Sequence, residues 1–232
     1  MRLTMDIDAV LFDLDGTLVD SAPDLGAAAD QMRIARGLPS LPQEAYRCAA
    51  SSGARGLLGA AFGMAPSDGN YAAYCEEFLS NYEQRLLMLT SLFAGTTELL
   101  RSLAQRGMPW GIVTNKAARF TEPIVRGLAD LQPAMVVISG DTLAHAKPHP
   151  APLLEAARRL AIEPARCLYV GDDLRDEGEV DRHAPSEVVV EVVGQAPVRG
   201  AGGHHQTGQG GSHDGAVAEP PERAVIGGRG EL

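Results

Sequence analysis

Two carboxylates one residue apart, Asp13 and Asp15, leave the short apolar run DAVLFD at 8–13 and are followed at once by Gly16 and Thr17. A run of this kind ending on acids reads as a buried parallel strand. Where the backbone turns at its end, side chains at i and i+2 can face one site, and Gly16 gives that turn its freedom. One such carboxylate can attack phosphorus. The other can protonate the departing oxygen and later activate water. The plainer alternative is an Asp-Gly turn carrying two solvated acids.

The elements needed to position these acids follow from pattern. Ser21 is placed to cap a helix reaching about Gly37, with Pro23 in its first turn. Helical segments are expected at 43–50 and 54–62, then a long amphipathic one from 68 to about 89, with Tyr71, Tyr74, Cys75, Phe78, Leu79 and Tyr82 on one side. No strand is expected between residues 20 and 90. Beyond Gly95 the pattern becomes βα repeats: helices at 96–106, 116–128 and 150–160, and strands at 109–114, 135–139 and 167–171. Alternation of this kind implies an α/β fold, a doubly wound, Rossmann-like parallel sheet with an inserted helical cap. Ligands in such sheets bind beyond the carboxyl ends of the strands, where Asp13, Thr114 and Asp172 all fall. The expected organisation is a core from 1–19 and 91–176, a cap over 20–90 and a tail over 177–232.

Composition narrows the function classes. A formal charge of −10 opposes a nucleic-acid partner, because phosphate backbones require clustered Lys and Arg. The apolar runs are too short for a bilayer, and no basic segment followed by an apolar one opens the chain, so a cytoplasmic protein is expected. Cys48, Cys75 and Cys167 form no CxxC pair and read as buried thiols in a reducing compartment. Of 20 basic residues only Lys116 and Lys147 are lysines. They are expected where a compact ammonium is needed and a planar guanidinium would not serve. The tail holds twelve glycines and no Phe, Tyr, Trp or Lys. It reads as a natural flexible segment or, preferably, as the product of a shifted reading frame in a GC-rich gene.

The DLDGT segment after its strand resembles the first motif of the haloacid dehalogenase superfamily, and the rest of that family's set follows in order. The resemblance implies that Thr114, ending PWGIVT, hydrogen-bonds the transferring phosphoryl group. It implies that Lys147 in AKPHP neutralises charge on phosphate and nucleophile. It also implies that Asp172, Asp173 and Asp176 in VGDDLRD belong to the acidic motif that holds magnesium. On this likeness Mg2+ is held by the Asp13 carboxylate, the Asp15 backbone carbonyl and Asp172, and the carboxyl groups of residues 13, 15 and 172 are expected to converge on it with the Lys147 amine nearby. Asp13 becomes an aspartyl-phosphate, and Asp15 serves as acid and then base. Asp15 favours phosphoryl transfer over dehalogenation, which similar dehalogenases perform without that aspartate. The absence of lysine between 18 and 90 counts against the Schiff-base chemistry of phosphonate-cleaving relatives.

Within the superfamily LVDSAPDL, SSGARGLL and WGIVTNKAARFTEP are similar to phosphoglycolate phosphatases and to relatives acting on N-acetylmuramic acid 6-phosphate. The likeness covers about residues 7–176. It implies a small phosphorylated metabolite as partner, 2-phosphoglycolate first, with the amino-sugar phosphate and then phosphosugar mutation as alternatives. An inactive or binding-only chain is the reading from a different class. Arg55 is the candidate for reaching the substrate's carboxylate or sugar, or else a solvent-facing helical arginine. Asn115 and Lys116 are placed to frame the phosphate, Lys116 alternatively capping a helix. His145 and His149 read as loop residues, and His204 and His205 as tail residues without a ligand.

Overall fold

The computed structural model describes residues 6–172, together with two backbone strands further on, Val189–Val192 and Arg223–Val225. The remainder of the expected tail, with Asp173, Asp176, His204 and His205, lies outside the described residues.

The apolar run before Asp13 forms β1 (Ala9–Phe12), buried along its whole length. It follows that both faces of β1 are covered and both edges paired. Its neighbours are β4 (Trp110–Val113) and β6 (Cys167–Gly171), both parallel to it, and β5 (Val136–Ile138) extends the parallel set beyond β4. Beyond β6 the sheet continues with β7 (Val189–Val192) and β8 (Arg223–Val225), each antiparallel to its neighbour. The order is β5-β4-β1-β6-β7-β8. β7 lies in the EVVVEVV run at 187–193, whose β-branched composition suits a strand; β8 was not expected.

Alternate side chains of β1 enter two cores, as period-two geometry requires. Ala9 and Leu11 pack with Val113, Ile138 and the alanines of α7 (Ala151–Leu160). Val10 and Phe12 pack with Leu100 of α5 (Thr96–Gln105) and Ile124 of α6 (Ala118–Gly127). Helices therefore cover both faces. Register sets Phe12 beside Ile112 and Val170, so Asp13, Thr114 and Asp172 leave the same edge of the sheet within two residues of one level.

Between β1 and α5 the chain forms α1 (Ala22–Ala35), α2 (Gln43–Ala50), α3 (Gly53–Phe62) and α4 (Tyr71–Arg85). These close on a third core containing Met32, Tyr46, Leu57, Leu58, Phe78 and Tyr82, which Phe120 of α6 joins from the sheet side. Two short strands, β2 (Val19–Asp20) and β3 (Ser91–Leu92), pair antiparallel where the chain enters and leaves this helical unit. They were not expected, being only two residues each and carrying no periodicity to read. The amphipathic stretch expected over 68–89 is helical only from Tyr71 to Arg85, and Leu87 then takes a positive φ of 67°. Cys167 is buried, Cys75 half-buried and Cys48 exposed. The expectation of three buried thiols is corrected at Cys48, which stands on the outer side of α2. Among the described residues no helix is long and apolar enough to cross a membrane.

The exit from the helical unit is fastened by a buried acid. Asp24 on α1 accepts hydrogen bonds from the backbone N–H groups of Leu89 and Thr90 and from the Thr90 hydroxyl at 2.7–3.1 Å. Removing the carboxylate leaves the buried Thr90 N–H and hydroxyl without this acceptor, which is costlier than the net worth of the bonds themselves. Asp24→Ala is expected to destabilise the fold by about 3 kcal/mol, lowering the melting temperature by roughly 6–12 °C. A melting curve superimposable on wild type would show that the exit strand is held by other means.

Candidate active site

Asp13 stands one residue past β1, where its backbone N–H still donates to the Val170 carbonyl at 2.8 Å. Its Oδ1 accepts from the Leu14 N–H at 2.7 Å, and Oδ2 meets Lys147 Nζ at 2.8 Å. Burial pushes its carboxyl above the usual range, against the opposing pull of Lys147 and the Leu14 amide. A carboxylate so desolvated, with its charge matched on one side, is poised to gain from any further cation.

Asp15 has its own ammonium. Lys116 Nζ lies 3.1 and 2.9 Å from Oδ1 and Oδ2 of Asp15, and the Ser21 hydroxyl donates to Oδ1. The two lysines of the chain thus answer the two acids of the motif one to one, with side chains only 7% and 11% exposed. Each also faces a tyrosine. Lys116 Nζ is 4.8 Å from the centre of the Tyr82 ring, and Lys147 Nζ donates to the Tyr169 hydroxyl at 2.6 Å. Burial opposes the charge on Lys116 more than any other influence, yet Asp15 and Tyr82 together hold its ammonium above the ordinary lysine range. Local sequence explains the placement. α6 starts at Ala118, whose N–H donates to Asp141, so Lys116 precedes the helix. It neither caps that helix nor remains solvated.

Asp172 follows β6 and is half-buried. Its carboxylate accepts from the Thr17 hydroxyl at 3.3 Å and lies against the backbone of Gly16. A Cβ at Gly16 would come within 1.8 Å of Asp172 Oδ2, and φ there is +80°. Glycine is therefore required twice over, by conformation and by contact. The expected convergence of the Asp13, Asp15 and Asp172 carboxyl groups is not found. Among the described residues no three acidic, imidazole or thiol groups gather, because Lys116 and Ser21 turn the Asp15 carboxylate to themselves. The donors left for a divalent cation are the Asp13 and Asp172 carboxylates and the Asp15 carbonyl oxygen. That set of hard oxygens, with coordination positions for water, fits magnesium.

Thr114 is buried at the end of β4, and its Oγ1 accepts from the Lys116 N–H at 3.2 Å, leaving its own O–H to donate. Asn115 was expected to frame the substrate. Its amide instead clasps the backbone of Lys147, accepting from the N–H and donating to the carbonyl, both at 2.9 Å. It ties the Lys147 loop to the Thr114 loop. Arg55 is exposed on α3, with Tyr71 of α4 as its electrostatic neighbour. Among the described residues no hydrogen bond or ion pair joins it to the motif loops. His145 and His149 are exposed loop residues whose rings stack 4.4 Å apart. Sequence reasoning missed Ser21, Tyr82 and Tyr169. Ser21 was assigned to a helix cap, where it makes no side-chain bond. The two tyrosines lie in apolar patterns indistinguishable from ordinary core.

The nucleophile-like acid on a central strand, the strand-end threonine, the loop lysine and the second acidic strand end define a phosphoryl-transfer class of α/β hydrolase. Residues 7–178 match the family model of haloacid dehalogenase-like hydrolases, and the chain belongs to that family. Its place within the family is among the phosphatases. It is 42% identical over 172 residues to an N-acetylmuramic acid 6-phosphate phosphatase of Pseudomonas aeruginosa, spanning 74% of this chain and 76% of the relative. It is 46% identical over 168 residues to a phosphoglycolate phosphatase of Xanthomonas campestris pv. campestris, spanning 72% and 76%. A crystal structure of a predicted phosphoglycolate phosphatase from Haemophilus somnus superposes with a TM-score of 0.63 at 26% identity, covering 73% of this chain and 78% of that one.

The packing of Asp172 on Gly16 carries a direct test. Gly16→Ala should push the carboxylate off the loop and weaken magnesium binding, followed by isothermal titration, by about tenfold or more. Unchanged affinity would place the cation elsewhere.

Proposed function

We propose that the protein is a magnesium-dependent phosphomonoester hydrolase that works through a covalent aspartyl-phosphate on Asp13. The observation that carries this reading is the pairing of Asp13 with Lys147 at 2.8 Å at the end of the central strand, beside a second acid that faces the same sheet edge. Magnesium, held by the Asp13 and Asp172 carboxylates and the Asp15 carbonyl, with Asp173 and Asp176 as further acids of the motif, would supply charge neutralisation between anionic nucleophile and anionic ester.

The remaining chemistry belongs to the chain. Asp13 attacks phosphorus in line, and the bond to the leaving alkoxide breaks as Asp15, which has to enter this step protonated and so outside its ion pair with Lys116, delivers a proton to it. Lys147, the Thr114 hydroxyl and the backbone N–H groups after Asp13 stabilise charge on the equatorial oxygens. Asp15, now a carboxylate, takes a proton from water, which attacks the acyl phosphate and regenerates Asp13. The helical unit, acting as a cap, excludes bulk water while these steps proceed. The setting proposed is the cytoplasm, with a small phosphorylated metabolite as substrate, in keeping with the phosphatases the chain resembles.

The first substrate proposed is 2-phosphoglycolate, supported by the 46% identity to the Xanthomonas enzyme. The amino-sugar phosphate is the second reading, supported by the 42% identity to the Pseudomonas enzyme. Steady-state kinetics across phosphoglycolate, amino-sugar and hexose phosphates should give the highest kcat/KM for phosphoglycolate; a clear preference for the amino sugar would reverse the order.

Asp13→Asn should abolish magnesium-dependent phosphate release from p-nitrophenyl phosphate, a fall of at least ~10³-fold. Acid-quenched wild type should carry one labile phosphoryl group that the variant lacks. Turnover persisting in the variant would rule out covalent catalysis by this residue.

A further inference from the structure

Lys147 is held at both of its ends. At the backbone, the Asn115 amide accepts from its N–H and donates to its carbonyl, both at 2.9 Å. At the ammonium, the Tyr169 hydroxyl accepts at 2.6 Å, while Asp13 Oδ2 lies 2.8 Å away. The tyrosine works through its oxygen and not its ring face, because Nζ stands 5.0 Å from the ring centre. Both holders belong to the frame of the site. Asn115 lies two residues past β4, and Tyr169 is a buried member of β6, paired in register with Leu11 of β1. A Cβ at Gly171 would come within 2.7 Å of the Tyr169 hydroxyl oxygen and 3.0 Å of its ring. The ring therefore lies back along the strand over Gly171, and this carries the hydroxyl to the sheet edge where Lys147 enters.

An ammonium has three N–H donors and no acceptor. Asp13 and Tyr169 engage two of them, which leaves the third to donate to a phosphoryl oxygen. A flexible four-carbon stem would otherwise lose rotamer freedom as the substrate arrives. Held in advance, the charge needs no reorganisation during the reaction. We propose that Tyr169 and Asn115 are positioning residues for Lys147, fixing its ammonium between Asp13 and the phosphoryl oxygens of the transition state. This inference rests on the phosphatase reading above, in which Lys147 offsets the charge on those oxygens.

Two anions separate positioning from packing. Orthovanadate adopts the five-coordinate geometry of phosphoryl transfer, whereas inorganic phosphate resembles the product. Affinities for both are measured by isothermal titration of the full chain with magnesium. Tyr169→Phe removes one oxygen and keeps the ring. It should weaken vanadate binding about tenfold and phosphate binding about threefold at most, and lower kcat on p-nitrophenyl phosphate about tenfold with KM within about twofold. Asn115→Ala should show the same bias from the backbone end. In a Lys147→Ala background, Tyr169→Phe should change vanadate affinity by less than about twofold, since the group it positions is gone. Equal weakening of both anions, full additivity with Lys147→Ala, or a Tyr169→Phe that binds and turns over like wild type would overturn the proposal. Should melting show that Lys147→Ala or Asn115→Ala does not fold, the contrast between the two anions in Tyr169→Phe decides the matter. A wild-type protein that releases no phosphate would overturn the phosphatase reading and this one together. An active wild type with an unaffected Tyr169→Phe removes this one alone.

Discussion

Two acids brought to the end of a buried strand need compensation, and the structure supplies it as two ammonium groups. Desolvating a carboxylate in a low-dielectric setting is expensive unless a partner of opposite sign and well-placed donors accompany it. Asp13 has Lys147 and the Leu14 amide; Asp15 has Lys116 and Ser21. Most other features of the site follow from keeping these pairs in register. The Asn115 clasp holds the loop of Lys147, the late start of α6 releases Lys116 from helical geometry, and the parallel register of β1, β4 and β6 brings all the loops to one edge.

Compact ammonium groups suit these positions for a physical reason. An Arg at either site would bring a planar fork whose five donors need several acceptors. The space beside each aspartate is closed instead by a tyrosine, Tyr169 or Tyr82. The composition of the chain, with arginine used almost everywhere else, already pointed to lysine being retained for cause.

The sheet and its site were legible because their signals are local and redundant. The apolar run before Asp13, the βα alternation after Gly95 and the motif acids each announce themselves over a few residues, and register follows once the strands are parallel. What escaped was long-range. Nothing around Ser21 distinguishes a helix cap from a hydroxyl aimed back at Asp15, since both begin at the same helix start. Tyr82 sits at core spacing on α4, and only the fold shows that the core it enters ends on Lys116. Asn115 looked like a ligand residue because it adjoins Thr114; its partner is a backbone 32 residues away. The carboxyl convergence failed for a related reason, as counting acids ignores the cations that have already engaged one of them.

Both lysines are enclosed, and the chain has no others. Apart from its terminal amine, the protein therefore offers amine-directed dyes and amine crosslinkers no freely exposed group. Any such adduct within the chain has to form at one of the two groups that neutralise the site, so labelling becomes a gauge of how far the interior opens. The same feature constrains handling: coupling the molecule to a support through its lysines would attach it by the two groups that pair with Asp13 and Asp15.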